Sequence, residues 1–347
     1  MSSGPSPQVT AKAARESVAP AVDGPQQADS QRRSKRLGSL FGLACLLAAW
    51  FGVLVLAVLL IGTIVEAWGW LDWQFLSDTQ RVNDPEGTGA RPGIWGTLWL
   101  ILLTGAFAIP VGVGAAIYIE EFASDNWLRR LVQVNLSNLA GVPSVVYGIL
   151  GLTVFVRMFG WSGATIRSPL WPNAIELPFG RTVISGALTM SLLILPVIIV
   201  ASQEALRAVP ASIRHAALAL GATKWQTIRT QVLPAAAPGI MTGVILAISR
   251  AIGETAPLVI LGVATFIPRS PGGIESVSGL ADLSAVAQAP FDNFTTLTLL
   301  IYGWIDETKA DYAHVTAAGI LVVLGVLLLL NTLAIVIRNR FQRYVKW

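Results

Sequence analysis

The chain has 347 residues, of which 54% are hydrophobic and only 13% charged, with a formal net charge of +4. A soluble domain carries roughly a quarter charged residues. This much apolar surface does not fit inside one soluble core, so the composition points to a membrane protein and excludes disordered, collagenous and disulfide-stapled classes.

Residues 1–36 are polar, rich in Ser, Pro, Ala and Gln, and close with Arg32, Arg33, Lys35 and Arg36. Such a segment buries too little to fold. A disordered cytoplasmic tail is expected, with its basic cluster flanking a membrane rather than holding nucleic acid. From Leu37 to Val65 the chain is uncharged and almost wholly apolar. That is too long for a secretory signal and long enough to span a bilayer, so 37–92 reads as a retained first helix and an external loop. The single cysteine, Cys45, lies inside this run, and Gly42 stands where a lipoprotein cleavage site needs a large aliphatic residue. Further spans are predicted near Trp95–Ile119, Asn135–Phe159, Val183–Ala201, Gly239–Phe266 and Val315–Ile337, within a bundle of residues 93–340. Asn135, Asn138, Pro143 and Ser144 interrupt the third. Helix–helix hydrogen bonding accounts for these polar residues and for Tyr147. The expected fold is all-α, a polytopic bundle of six transmembrane helices.

The connecting charges orient it. The tail carries six Lys/Arg, while segment 66–93 holds five acids against two Arg, and segment 267–314 six acids against Arg269 and Lys309. Segment 203–234 sets Arg207, Arg214, Lys224 and Arg229 against Glu204, and the C-terminus adds Arg338, Arg340, Arg343 and Lys346. Positive segments mark the cytoplasm, which puts both termini and segment 203–234 inside. Six spans then place segment 120–134 there too, although Glu120, Glu121 and Asp125 nearly balance Arg129 and Arg130, and leave outside segment 160–182, with Arg167 and Arg181 against Glu176. Trp68, Trp70, Trp73, Trp95, Trp99, Trp161 and Trp171 fall at predicted outer boundaries, as an aromatic belt should. His215 and His314 show no metal spacing and read as solvated or interfacial residues.

Segment 203–234 is too long and too patterned for a connector. Pro210 and Ser212 can start a helix, with Ile213, Ala216, Ala217 and Leu220 forming one apolar stripe. Gly221 can end it, and Thr223 can cap a second helix, Lys224–Val232, closed by Pro234. Such a pair either receives a soluble partner or rests on lipid. The fifth span carries Arg250 and Glu254 four residues apart in an apolar helix, hence on one face. Charges at membrane depth are costly and mark a pathway by default. A guanidinium suits phosphate because its planar fork donates two parallel hydrogen bonds. A structural ion pair is the alternative. Ser249 and Thr255 are neighbouring hydroxyls, and Gly253 and Pro257 shape the helix.

Segment 203–234 resembles the cytoplasmic "EAA" loop of bacterial ABC-importer permeases, with Ala216, Ala217, Gly221, Leu233 and Pro234 in register. His215 replaces the usual Glu and Gln231 the usual Ile. The runs AGVPSVVYGILGL (140–152), RHAALALGATKW (214–225) and SRAIGETAPLVILG (249–262) are similar to the permease subunit of the phosphate-specific ABC transporter, and Ala256-Pro257-Leu258 favours its PstA type. The resemblance covers roughly residues 90–340. It implies a type I importer permease of the bacterial inner membrane that passes phosphate near Arg250, with Glu254, Thr255 and Ser249 beside it. It also implies ATPase coupling through Arg214, His215, Ala216, Ala217, Gly221, Ala222, Lys224, Leu233 and Pro234. The implied partners are a sister permease, two ATP-binding subunits and an extracytoplasmic phosphate-binding protein. None of the five lysines follows a glycine, so there is no P-loop. ATP and Mg would be used by the partner, and no catalytic residue, metal site or cofactor of this chain is expected. The rival readings are a permease for another oxyanion such as sulfate or molybdate, a passive channel, or an intramembrane enzyme acting on lipid.

Overall fold

The computed structural model describes residues 25–81, 83–158, 164–166, 175–177 and 179–342. Residues 1–24 of the expected tail, Trp161 and Trp171 lie outside them. The chain divides into two units, Met1–Gly62 and Thr63–Trp347. Most of the first is helix α1, Pro25–Glu66. The helix therefore takes in the second part of the segment expected to be disordered, because Gln, Ala, Arg and Lys are good helix formers continuous with the apolar run.

The second unit is a helical bundle. α2, Arg91–Ile117, runs on as a π-turn over Tyr118–Phe122. The third span is not one helix. α3, Trp127–Ala140, and α4, Ser144–Gly151 with its π-turn to Val156, meet at a bend of 104°. Pro143 has no N–H and pushes Val142 out of the α region, so the helix stops at Gly141. The polar groups of this span bond within it rather than between spans. The Tyr147 hydroxyl donates across the bend to the Leu139 carbonyl at 2.8 Å, and Asn135 donates back to Leu131 at 2.8 Å. A small antiparallel pair follows, β1 Ala164–Ile166 with β2 Ile175–Leu177.

α5, Val183–Arg207, is the hub. Met190, Ile194 and Ile198 are fully buried on it, among Leu258, Leu261, Phe294 and Leu299. Small residues let its neighbours close in. A Cβ on Gly112 of α2 would lie 2.7 Å from Ile198, and one on Gly243 would lie 2.3 Å from the Ala201 side chain. Buried hydroxyls cross the same seam: Ser191 donates to the Thr104 carbonyl at 3.2 Å.

The fifth span departs from expectation at both ends. Pro234 closes nothing. α7, Lys224–Thr227, passes through a π-turn at Ile228–Val232 into α8, Leu233–Gly253, with Pro234 in the first turn of α8. The π-turn re-spaces the carbonyls ahead of the proline, so the missing N–H breaks no regular ladder. The helix then stops at Gly253, well short of Phe266. Glu254 is its extended C-cap, and a short helix α9, Ala256–Leu261, follows. The chain returns through α10, Leu297–Ile305, and leaves along α11, Tyr312–Gln342.

Five described helices are long and apolar enough to cross a membrane, and the bent α3–α4 pair makes a sixth. Loops expected on one side meet: Arg91 lies 3.4 Å from Glu275, and Tyr312 donates to the Arg81 carbonyl. His314 is no free surface residue, since it stacks on Trp70 and lies 2.8 Å from the Glu66 carbonyl oxygen. Trp99 is buried in the core rather than placed in a belt. Replacing Gly243 by Val should cost roughly 1–3 kcal/mol through overpacking against Ala201. Gly114→Ala, with nothing within 4 Å of the added carbon, should be close to neutral. Thermal unfolding of the detergent-solubilised protein compares the two.

Candidate functional site

The segment after α5 forms a helical hairpin. α6 spans Ala211–Ala219 and begins at Pro210, with no hydroxyl cap from Ser212. It ends in a Schellman motif: Gly221 N–H donates to Leu218 at 3.0 Å and Ala222 N–H to Ala217 at 3.2 Å. Gly221 holds φ +85°, where a side chain is strained. α7 then opens on a capping box, with Thr223 and Gln226 each satisfying the other's backbone N–H. The predicted stripe is divided between two sides. Ile213 and Ala217 are half-buried, whereas Ala216 is exposed and Leu220 is 89% exposed. With Leu218, Trp225, His215 and Lys224, Leu220 forms an outward face.

Arg214 ties this hairpin to the bundle. Its Nη2 donates to Glu121 at 2.7 Å and to the Leu206 carbonyl at 2.8 Å, and its Nη1 donates to the Val209 carbonyl at 2.7 Å. Glu121 sits in the π-turn that ends α2, and its side chain is only 10% exposed. The Leu206 carbonyl lies in the last turn of α5, where the helix leaves partial negative charge, and Val209 follows the helix end. Alongside, Glu120 accepts from Arg207 at 3.0 Å and lies 3.6 Å from Arg129. Charge counts alone missed these two glutamates. The available signal was that segments 120–134 and 203–234 share a side and carry opposite surplus groups.

At the far end of α8, Arg250 and Glu254 do meet. Arg250 Nε lies 3.4 Å from Glu254 Oε1, with the arginine side chain 43% exposed and the glutamate 23%. They are not two positions of one helix. Arg250 lies in the last turn of α8, where a cation complements the freed carbonyls, and Glu254 is the residue after its end. Of the two neighbouring hydroxyls, Ser249 donates to the Ile245 carbonyl at 2.8 Å and bonds Asn331 of α11 at 2.7 Å. Thr255 precedes α9, and its carbonyl accepts from Leu258 and Val259. Asn331 is a lone amide in the apolar stretch of the sixth span, a polar position that hydropathy averages away. Among the described residues no group of His, Cys, Asp and Glu is placed to hold a metal ion.

Residues 108–347 match the family of binding-protein-dependent transport system inner membrane components. The chain belongs to this family. It is a multi-pass membrane permease of the ABC-importer type. A Bacillus subtilis relative described as "Probable ABC transporter permease protein YqgI" is 32% identical over 59% of this chain. The chain spans 64% of that relative's length. The phosphate transport system permease protein PstA of Yersinia pestis is 28% identical, over 88% of this chain and 90% of its own. A solved bacterial alginate ABC transporter, in complex with a pentasaccharide-bound periplasmic protein, shares the fold at a TM-score of 0.54. It covers 87% of this permease and 94% of that chain at 17% identity.

The hairpin's attachment to the permease bundle is testable without a substrate. Arg214→Gln leaves Glu121 and two carbonyls short of charge-assisted bonds, a loss of about 2 kcal/mol. Hydrogen exchange of amides in α6 should accelerate roughly 30-fold, with exchange in α5 near Ile194 unchanged. Equal protection of α6 in both proteins would contradict the anchoring role.

Proposed function

We propose that this chain is the permease subunit of an ATP-driven importer that moves inorganic phosphate across the bacterial cytoplasmic membrane. The observation that carries the phosphate reading is Arg250. Its guanidinium is partly exposed and held by a single long contact to Glu254 at 3.4 Å, at the break of a membrane span. A phosphate oxyanion can take that fork through two oxygens, whereas Glu254 engages it through one long contact. Glu254 takes the guanidinium back when the anion leaves, so the site binds reversibly. The PstA relatives favour the same substrate.

ATP binding and hydrolysis belong, on this reading, to two separate ATP-binding subunits. One docks on the outward face of α6 and α7, through Leu218, Leu220 and Trp225 with His215 and Lys224 beside them. A sister permease completes the translocation path, and an extracytoplasmic phosphate-binding protein delivers the anion. Movement of the docked hairpin reaches α2 and α5 through Arg214, and reaches Arg250 through the helix that α7 begins.

Substitutions at the charged pair and at Gly221 test the two halves. Arg250→Gln should reduce phosphate uptake at least tenfold when uptake is normalised to membrane-inserted protein. Arg250→Lys should retain partial uptake, because the charge remains without the fork, and Glu254→Gln should be milder. Equal loss of assembly and uptake would make the pair structural. Gly221→Val forces a β-branched residue to positive φ. ATP hydrolysis should continue in the assembled complex while transport falls, and Gly221→Asn should be milder. Normal transport by Gly221→Val would count against the coupling role.

A further inference from the structure

A second arginine, far from Arg250 in sequence, reaches the short helix α9 that follows Glu254. Arg181 precedes α5, where the isolated bridge between Thr182 and Asn293 and the bond from Val183 N–H to the Asp292 carbonyl at 3.1 Å fix the backbone. Its guanidinium lies over Gly262, the residue that ends α9. A Cβ there would stand 2.8 Å from Arg181 Nε and 3.1 Å from Nη2. Gly262 also holds φ +78°. Arg181 opens into a cavity of about 270 Å³ that Pro268, Asn293 and Phe294 also line.

Among the described residues no carboxylate lies within ion-pairing distance of Arg181. The acid nearest in sequence across the bridge, Asp292, is engaged elsewhere: its Oδ2 accepts from Gly272 N–H at 2.7 Å and its Oδ1 from Gln288 at 3.4 Å. An arginine held by backbone constraints beside a cavity and an amide, with no acid opposite, is arranged for an incoming anion. Its fork binds a tetrahedral oxyanion through two oxygens, and the Asn293 amide adds a donor to the wall.

The placement links it to the first pair. α9 has six residues, roughly 9 Å of helix, and runs between Glu254 at one end and Gly262 at the other. Arg250 and Arg181 thus stand at opposite ends of one short helix, on the side of Arg250 that faces away from the ATPase-docking hairpin. We propose that Arg181 and Asn293 form a second, outer phosphoryl-binding site, a waiting position for the anion before it reaches Arg250. This rests on the proposed transport of phosphate for its role. The chemistry of the site, a tetrahedral phosphoryl group on a guanidinium, stands apart from it, and a phospholipid headgroup would bring the same group.

Binding of radiolabelled inorganic phosphate to the purified full-length protein tests the site directly. It should be measured at low ionic strength in the Arg250→Gln background, so that the outer site is read alone. Arg181→Gln in that background should weaken binding roughly tenfold or more. Arg181→Lys should recover part of it, and Asn293→Ala should weaken it less. Unchanged melting temperatures will show that the variants fold. Native mass spectrometry after reconstitution with phosphatidylglycerol forms the second arm. A lipid retained by the parent protein and lost on Arg181→Gln would assign the site to a headgroup and overturn the waiting position. Equal phosphate and lipid binding with and without Arg181 overturns the site altogether. Arg181-dependent phosphate binding in a protein whose complex imports no phosphate would uphold the site and sink the transport reading alone.

Discussion

The arrangement depends on one side chain, Arg214. A helix that ends at a membrane surface leaves a partial negative charge behind. α5 ends that way, and Arg214 answers it with bonds to Leu206 and Val209 while holding Glu121 at 2.7 Å. The same guanidinium therefore touches α6, the end of α5 and the π-turn that ends α2. Without it α6 would be a short surface helix resting on Ile213 and Ala217. With it α6 is fastened to the most deeply buried helix of the bundle. A point-charge lysine has no fork to serve three partners in different directions.

The second constraint is continuity. The helix that starts at Lys224 in the hairpin reaches Gly253 after 30 residues, about 45 Å. Its beginning carries the exposed face of Trp225, and its end carries Arg250. The exposed hairpin face and the charged pair thus sit at two ends of one element. The close approach of Gly243 to Ala201 and Gly239 to Ala205 packs that element against α5 along its length. A displacement imposed at one end has a rigid route to the other. The π-turn at Ile228–Val232 interrupts the regular α ladder on that route and is a natural place for flexure.

Much of this was legible because it is local. The capping box at Thr223, the terminating Gly221 and the proline that bends the third span at Pro143 all act within a few residues, and the family runs around Gly221 and Arg250 share that locality. Apolar length located the first, second, fourth and sixth spans, and loop charge paired the ends that meet. What escaped is tertiary. Glu121 and Arg214 are separated by 93 residues, and no periodicity reports such a pair. Pro234 was misread as a stop because the breaker rule assumes a regular α ladder, which the π-turn replaces. The split of the Ala216–Leu220 stripe between two faces was hidden for another reason. Helical spacing shows that residues share a face but not what covers it, and Leu220 is 89% exposed. Arg181 carried no motif and gains meaning only from Gly262 beneath it.

On the proposed function, the Glu121–Arg214 bond makes the hairpin and the bundle move together. The most direct measurement is the number of ATP molecules hydrolysed per phosphate imported by the reconstituted complex, taken for Glu121→Gln, Arg214→Gln and the double variant. If the bond transmits the motion, each single change raises this ratio, and the double change raises it no further than Arg214→Gln alone, because both remove one interaction. Ratios equal to that of the unaltered complex, or effects that add independently, would contradict the account.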